Sequence, residues 1–253
     1  MESLSDIINL LAPAFVAGAM ISAVHVPLGQ EVLKRGIIFL DLAVAQFAAL
    51  GMIAFQTFTA YDEYSLFSAY GRLGAGLVAA LLCAFAFHII EKKSGKYQEA
   101  LIGCGFVLAA SLGLITVANS PNGGEDIKHI LEGQILWASW SHILFVLPVF
   151  VLSFSLWHLL KSKRQFLFYP LFALTIPFSV SMIGIYLVFA SLIFPALAVA
   201  RVKKFGVLSG FLISIITYLL GLILSYLLDW PAGPAIVFAF FVIAAAFFGF
   251  YRK

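Results

Sequence analysis

Charged residues are scarce in this 253-residue chain: 11% are Asp, Glu, Lys or Arg, whereas 63% are hydrophobic and the mean hydropathy is +1.06. A soluble domain has about a quarter charged residues, so this chain has too few to cover a globular surface in water. The composition therefore excludes a soluble fold, a disordered chain and a nucleic-acid-binding surface. The net charge of +3 is small, and the basic residues form short clusters between apolar runs. In a membrane protein such clusters report orientation.

Cysteine and nucleotide-binding motifs are also scarce. Cys83 and Cys104 both lie within apolar runs, and a disulfide framework or a zinc site needs more sulfur or histidine at closer spacing. Both are therefore expected to be small core residues.

The chain has no GxxxxGK[ST] segment, and its longest polar stretch, residues 119–134, is too short for a nucleotide-binding domain. If the protein uses ATP, another chain must bind it. With no HExxH motif or nucleophile–base pair in the spans, a membrane enzyme is the weakest interpretation.

Long apolar runs are what the sequence has in abundance. A helix needs roughly 20 apolar residues to cross about 30 Å of hydrocarbon. Runs of this kind occur at about 7–26, 36–58, 73–91, 99–119, 141–160, 206–228 and 234–251. The stretch 166–200 has 35 uncharged residues and as one helix would be about 52 Å long, too long for a bilayer. Pro177, Gly184 and Pro195 are the places where it can break.

The charges predict how these runs are oriented. Under the positive-inside rule the basic clusters face the cytoplasm, which places 13 of the 15 basic residues inside. Both ends of the 166–200 stretch are then cytoplasmic, so the chain must cross and return. The sequence therefore predicts an all-α polytopic membrane protein with a single transmembrane domain over residues 1–253. It predicts about nine passages (eight full spans plus a short or re-entrant helix around 184–200), with the N-terminus outside and the C-terminus cytoplasmic. The acidic start does not match the basic start of a cleaved signal.

Asp41 is the clearest functional candidate because it lies within the second apolar run. A carboxylate inside a bilayer is costly unless it is paired or hydrated, so such a residue indicates a functional site. Asp41 and Gln46 are about 140° apart on a helix and do not share a tight face. The alternative is that Asp41 pairs with nearby Arg35 and only stabilises the entry of the helix.

His25 ends the first predicted span and Glu31 follows it by six residues, so both precede the second run and extend this candidate site. An imidazole and carboxylates from neighbouring segments are suitable ligands for a zinc- or manganese-type cation. The metal-pathway candidates are therefore Asp41, His25, Glu31 and Gln46. The alternative for His25, which is expected at the end of the first span, is a satisfied interfacial residue.

The predicted external loop contains a second polar cluster. Glu125, His129 and Glu132 have i, i+4 and i, i+3 spacings, so one helical face presents all three, with Asp126 beside them. This cluster suggests a vestibule that attracts cations, or a docking face for an extracytoplasmic partner. An amphipathic interfacial helix after residues 122–124 is an equally good interpretation.

Five stretches in order carry recognisable motifs: PLGQEVLKRGIIFLDLAVAQFAALG (27–51), EALIG (99–103), EGQILWASWSHIL (132–144), MIGIYLVFASLIFPALAVAR (182–201) and LLGLILSYLLDWPAGPAIV (219–237). Together they resemble the permease subunits of bacterial metal-ion (zinc, manganese and iron) ABC transporters. The family-motif positions are Gly184, Pro195, Arg201, Asp229, Pro231, Gly233 and Pro234. The resemblance covers nearly the whole chain in one register.

This resemblance implies an inner-membrane permease that works as a homodimer with a cytoplasmic ABC ATPase and an extracytoplasmic metal-binding protein. No permanently bound cofactor is implied, since the divalent metal ion is the transported substrate. Typical members have a histidine four residues after the intramembrane Asp, whereas this chain has Ala45. The charged coupling segment of the family is also reduced here, to KSKRQ (161–165). The alternative function is therefore an ATP-independent metal-ion carrier or channel of the same fold.

Overall fold

A computed structural model describes residues 4–59, 66–118, 123–202 and 205–250. The regular structure in these ranges is helical throughout, which confirms the all-α prediction. The helices are α1 (Leu4–Arg35), α2 (Leu40–Phe58), α3 (Leu66–Ser94), α4 (Gln98–Val117), α5 (Gly123–Glu132), α6 (Trp140–Leu159), α7 (Arg164–Ala198), α8 (Gly206–Leu228) and α9 (Ala232–Phe250). Short 3₁₀ turns at Gly95–Tyr97, Ile135–Trp137 and Lys161–Lys163 connect some of them.

Seven of the described helices, α1 to α4 and α6 to α8, are long and apolar enough to cross a membrane. This count treats α7 as one helix and leaves out α9, whose apolar segment, Ala232–Phe247, is shorter. Nine passages are therefore not confirmed, and that number stays a prediction. Large apolar side chains on the outward faces of α3, α4 and α6, such as Phe85, Ile115 and Leu144, are more than half exposed, as expected for contact with lipid.

The first helix is longer than predicted. Its apolar run was expected to end near residue 26, but α1 continues through Pro27 to Arg35. Proline is tolerated inside membrane helices because neighbouring groups satisfy the freed backbone carbonyl. His25 therefore lies within α1, and the expectation that it ends the first span is wrong.

The central helix α7 doubles back at Gly184, where φ is 76° and ψ is 166°. Ser179 and Ser191, on either side of this break, both hydrogen-bond the imidazole ring of His25. Twelve residues of straight helix would separate them by about 18 Å, which one ring does not bridge. The predicted break of the 166–200 stretch thus occurs at Gly184, whereas Pro177 and Pro195 remain within helical backbone.

The rest of the bundle is arranged around α7, which packs against α1, α2, α3, α5 and α9. We call the end of the bundle where α1 ends and α2 begins the basic end, since Lys34 and Arg35 lie there. Chain direction places the start of α4 and the start of α7 at the same end. The opposite end, where α5 lies, is called the acidic end.

Candidate functional site

Asp41 lies in the first turn of α2 and is fully buried. Its Oδ1 accepts a hydrogen bond of 2.8 Å from the backbone N–H of Leu42, while its Oδ2 is buried without a hydrogen-bond partner. The proposed pairing with Arg35 is not found. The Arg35 guanidinium instead donates to Glu31 at 3.1 Å and to Glu91 at 3.3 Å. Asp41 is therefore a buried acid whose second oxygen is available to a ligand.

A second acid, Glu99, approaches the same helix terminus from α4. The Oε1 of Glu99 accepts the backbone N–H of Phe39, the residue that precedes α2, at 3.1 Å. Its Oε2 is buried and has no hydrogen-bond partner. In the sequence, Glu99 belongs to the EALIG motif and is one of four acids in or beside the predicted cytoplasmic half, with Glu31, Asp41 and Glu91. It was not among the predicted metal-pathway residues, although it lies at the start of an apolar run.

His25 joins α1 to both halves of α7. Its Nδ1 lies 2.7 Å from the Ser191 hydroxyl and its Nε2 lies 2.9 Å from the Ser179 hydroxyl. A neutral imidazole donates to one such hydroxyl and accepts from the other. Because all three side chains are fully buried, this arrangement fixes the hairpin of α7 against α1 and leaves neither ring nitrogen without a partner.

The other two predicted pathway residues lie at separate places. Glu31, near the end of α1, is engaged by Arg35 and lies 4.0 Å from the Lys34 ammonium. Gln46 lines a cavity of about 140 Å³ between α2, α4 and α5, whose other lining residues are apolar. In the described part of the chain, no three His, Cys, Asp or Glu side chains are grouped so as to hold a metal ion. The four candidates therefore do not form one resident metal site.

The external cluster lies on α5, a short helix that begins at Gly123. The amphipathic interfacial helix was expected to begin after residues 122–124, so the helix starts slightly earlier than expected. Glu125 and His129 are exposed, and His129 Nδ1 is 2.8 Å from the Gln134 amide nitrogen. Glu132 is half-buried. The side chain of Asp126 lies outside the described residues. The vestibule and the docking face therefore both remain predictions.

The motif glycines meet at the acidic end. A Cβ on Gly184 would overlap the backbone of Glu132 and Gly133, and a Cβ on Gly133 would overlap Ile183 and Gly184. A Cβ on Gly233, in the first turn of α9, would overlap the carbonyl of Glu132. These glycines allow the turn of α7, the end of α5 and the start of α9 to approach each other closely.

The remaining motif residues shape helix ends. Pro195 lies in the last turns of α7, and its carbonyl accepts the N–H of Val199 where that helix ends. Arg201 follows on an exposed turn. At the acidic end, Asp229 terminates α8 in the left-handed conformation, with φ of 54°. Pro231 precedes α9 and Pro234 lies in its first turn, where proline is favoured because no backbone donor is lost.

The fold and the buried polar residues define an α-helical polytopic membrane protein with acids and hydroxyls turned toward its interior. A model of the ABC 3 transport family matches residues 7–164 and 159–250. The chain belongs to this family. Its resemblance to permease subunits of bacterial metal-ion ABC transporters is thereby confirmed.

Individual relatives extend over most of the chain. It is 26% identical over 252 residues to the high-affinity zinc uptake system membrane protein ZnuB of Haemophilus influenzae, which covers 90% of this chain and 93% of that protein. It is 24% identical over 266 residues to the manganese transport system membrane protein MntC of Halalkalibacterium halodurans, covering 95% and 87%. Among solved structures, PsaBC from Streptococcus pneumoniae in complex with Fab has a TM-score of 0.73 at 20% identity, covering 97% of this chain and 95% of that chain. This last likeness supports the fold.

Proposed function

We propose that this chain is the transmembrane subunit of an importer that moves a divalent transition-metal ion across the bacterial cytoplasmic membrane. Zinc and manganese are the favoured substrates. The observation that supports this most directly is the fully buried Asp41, whose Oδ2 has no partner. A carboxylate buried within an apolar membrane helix is costly unless it is paired, and such residues typically mark the path of an ion. The relatives named for zinc and manganese transport support the choice of substrate class.

The energy source and the partners belong to the same proposal. ATP is hydrolysed by a separate cytoplasmic ABC ATPase, an extracytoplasmic metal-binding protein delivers the ion, and two copies of the chain share the path. The absence of a phosphate-binding segment in the sequence supports a separate ATPase. The basic clusters support an N-terminus outside and a C-terminus in the cytoplasm.

The contacts of the short 161–165 loop support a coupling route despite its length. The Arg164 side chain donates to the Trp157 carbonyl at 3.0 Å, and the Gln165 carbonyl accepts from Arg35 at 3.4 Å. Arg35 also pairs with Glu91 at the end of α3. A partner that displaces this loop therefore acts on the ends of α1 and α3 together.

Metal accumulation in cells that produce the chain with its ATPase tests the proposal. We expect Asp41→Asn, which keeps the shape of the side chain but removes its charge, to lower uptake of zinc or manganese at least tenfold at equal protein level. Asp229→Asn is the matched control, since this exposed acid lies at the acidic end and Asn tolerates its left-handed backbone. Equal uptake by wild type and Asp41→Asn would refute the role of Asp41. Lack of uptake by the wild type with any ATPase would refute the importer.

The alternative is an ATP-independent metal-ion carrier or channel, favoured by the reduction of the cytoplasmic segment to residues 161–165. Reconstitution of the chain alone in liposomes separates the two. Metal flux without ATP supports the carrier or channel, whereas flux only with a co-reconstituted ATPase and ATP supports the importer.

A further inference from the structure

We propose that Glu99 binds the transported divalent cation together with Asp41, so that the ion is held between the first turns of α2 and α4. This inference rests on the proposed function, since it assumes that a metal ion reaches Asp41. It assigns a ligand to α4, a helix outside the predicted metal pathway.

Hydrogen bonds fix the two acids at one place. Glu99 accepts the N–H of Phe39 at 3.1 Å, and Asp41 follows Phe39 by two residues. α2 and α4, which carry the two acids in their first turns, pack against each other. The two carboxyl groups therefore lie near the same helix terminus at the basic end of the bundle, where Asp41 is fully buried and Glu99 is half-buried.

Backbone N–H groups satisfy only one oxygen of each of the two carboxyl groups. One oxygen of each carboxyl group accepts a backbone N–H at the start of α2, as expected for anions at a helix N-terminus. Asp41 Oδ2 and Glu99 Oε2 are both buried and have no hydrogen-bond partner. Helix capping by itself therefore accounts for Oδ1 and Oε1 and leaves two carboxylate oxygens for a ligand.

No described Lys, Arg or His side chain forms an ion pair with Asp41 or Glu99. The ion pairs of this end run from Lys34 and Arg35 to Glu31 and Glu91, and from His88 to Glu91. Two carboxylates match the charge of a divalent cation and provide the oxygen ligands that manganese accepts well. The positive-inside rule assigns the basic end to the cytoplasm, so this site lies where an imported ion leaves the membrane.

Binding of Mn²⁺ alone to the purified full chain in lipid nanodiscs tests this site without an ATPase or transport. Glu99→Gln keeps an oxygen to accept the Phe39 N–H and removes the charge, and Asp41→Asn does the same for the Leu42 N–H. We expect each variant to weaken Mn²⁺ binding at least tenfold. Because both acids bind the same ion, the double variant should bind Mn²⁺ only slightly less tightly than the single variant with the lower affinity. Asp229→Asn should bind as the wild type does.

A change of metal preference distinguishes a ligand from a structural residue. Glu99→His replaces an oxygen ligand by an imidazole nitrogen, which is expected to shift the ratio of affinities at least tenfold from Mn²⁺ toward Zn²⁺. Equal Mn²⁺ affinity of Glu99→Gln and wild type, or an unchanged metal ratio in a folded Glu99→His, would overturn the proposed site. A wild type that binds Mn²⁺ through both acids but transports no metal with any ATPase would support the site and refute only the proposed function.

Discussion

The turn of α7 at Gly184 depends on the absence of a side chain at that position, which Gly184→Ala tests. The backbone angles of 76° and 166° lie in a region that only glycine occupies readily. A methyl group at Gly184 would also overlap the backbone of Glu132 and Gly133. Backbone atoms do not move aside as the end of a flexible side chain does, so the turn and the segment after α5 would have to separate.

The expected cost is the sum of two contributions. A residue held in such a backbone region costs about 1–3 kcal/mol, and forcing additional atoms into a packed region typically costs another 1–3 kcal/mol. Gly184→Ala should therefore lower the free energy of unfolding by about 2–6 kcal/mol. Compared with a typical total of about 5–15 kcal/mol, this loss is large enough to reduce the yield of folded protein.

Denaturation of the purified protein in mixed micelles measures the effect. The matched control is Gly103→Ala within α4, where a Cβ has no atom within 4 Å. Since alanine favours helix over glycine by about 1 kcal/mol, this control should be neutral or slightly stabilising. A Gly184→Ala protein as stable as the Gly103→Ala protein would refute the close approach at the turn.

Two further predictions concern contacts between helices. In a double-mutant cycle of unfolding, His25→Ala and Ser191→Ala should show a coupling free energy of about 0.6–1.7 kcal/mol, because both remove the same buried hydrogen bond. The control pair, His158→Ala and Ser191→Ala, changes residues that do not contact each other and should show no coupling. A coupling free energy of zero for His25 and Ser191 would contradict the hydrogen bond. Arg35→Lys should lower the free energy of unfolding by about 0.5–1.5 kcal/mol, the net contribution of one hydrogen bond, because lysine lacks the planar fork that donates to two acids. If Glu91→Gln in the Arg35→Lys background costs as much as in the wild type, the fork has no such role.

Much of the fold followed from apolar run length and charge position. The break of α7 was predictable because 35 uncharged residues with basic clusters at both ends are too long to cross once. Gly184 was one of three suggested breaks, and the structure selects it because the backbone of Glu132 and Gly133, at the end of α5, approaches it closely. The end of α1 was not predictable from Pro27, since its tolerance within a helix depends on the neighbouring helices.

The candidate site was predictable only in part. Asp41 was identified because its cost in an apolar run is a local property of the sequence. Glu99 is 58 positions away along the chain, and it reaches the Phe39 N–H, two residues before Asp41, because α2 and α4 begin at the same end and pack together. In the same way, the partners of His25 are hydroxyls on both sides of the α7 turn, which no spacing in the sequence indicates.

The contacts of α1 change how the short 161–165 loop is interpreted. From loop length alone, coupling to an ATPase was the weakest part of the family resemblance. However, α1 contacts both the α7 hairpin and the loop: His25 hydrogen-bonds Ser179 and Ser191, and Arg35 donates to the Gln165 carbonyl. Arg35 also lies six residues before Asp41 in the sequence. In the importer that we propose, coupling to the ATPase is therefore expected to depend more on the Arg35 contacts than on the number of residues in the 161–165 loop.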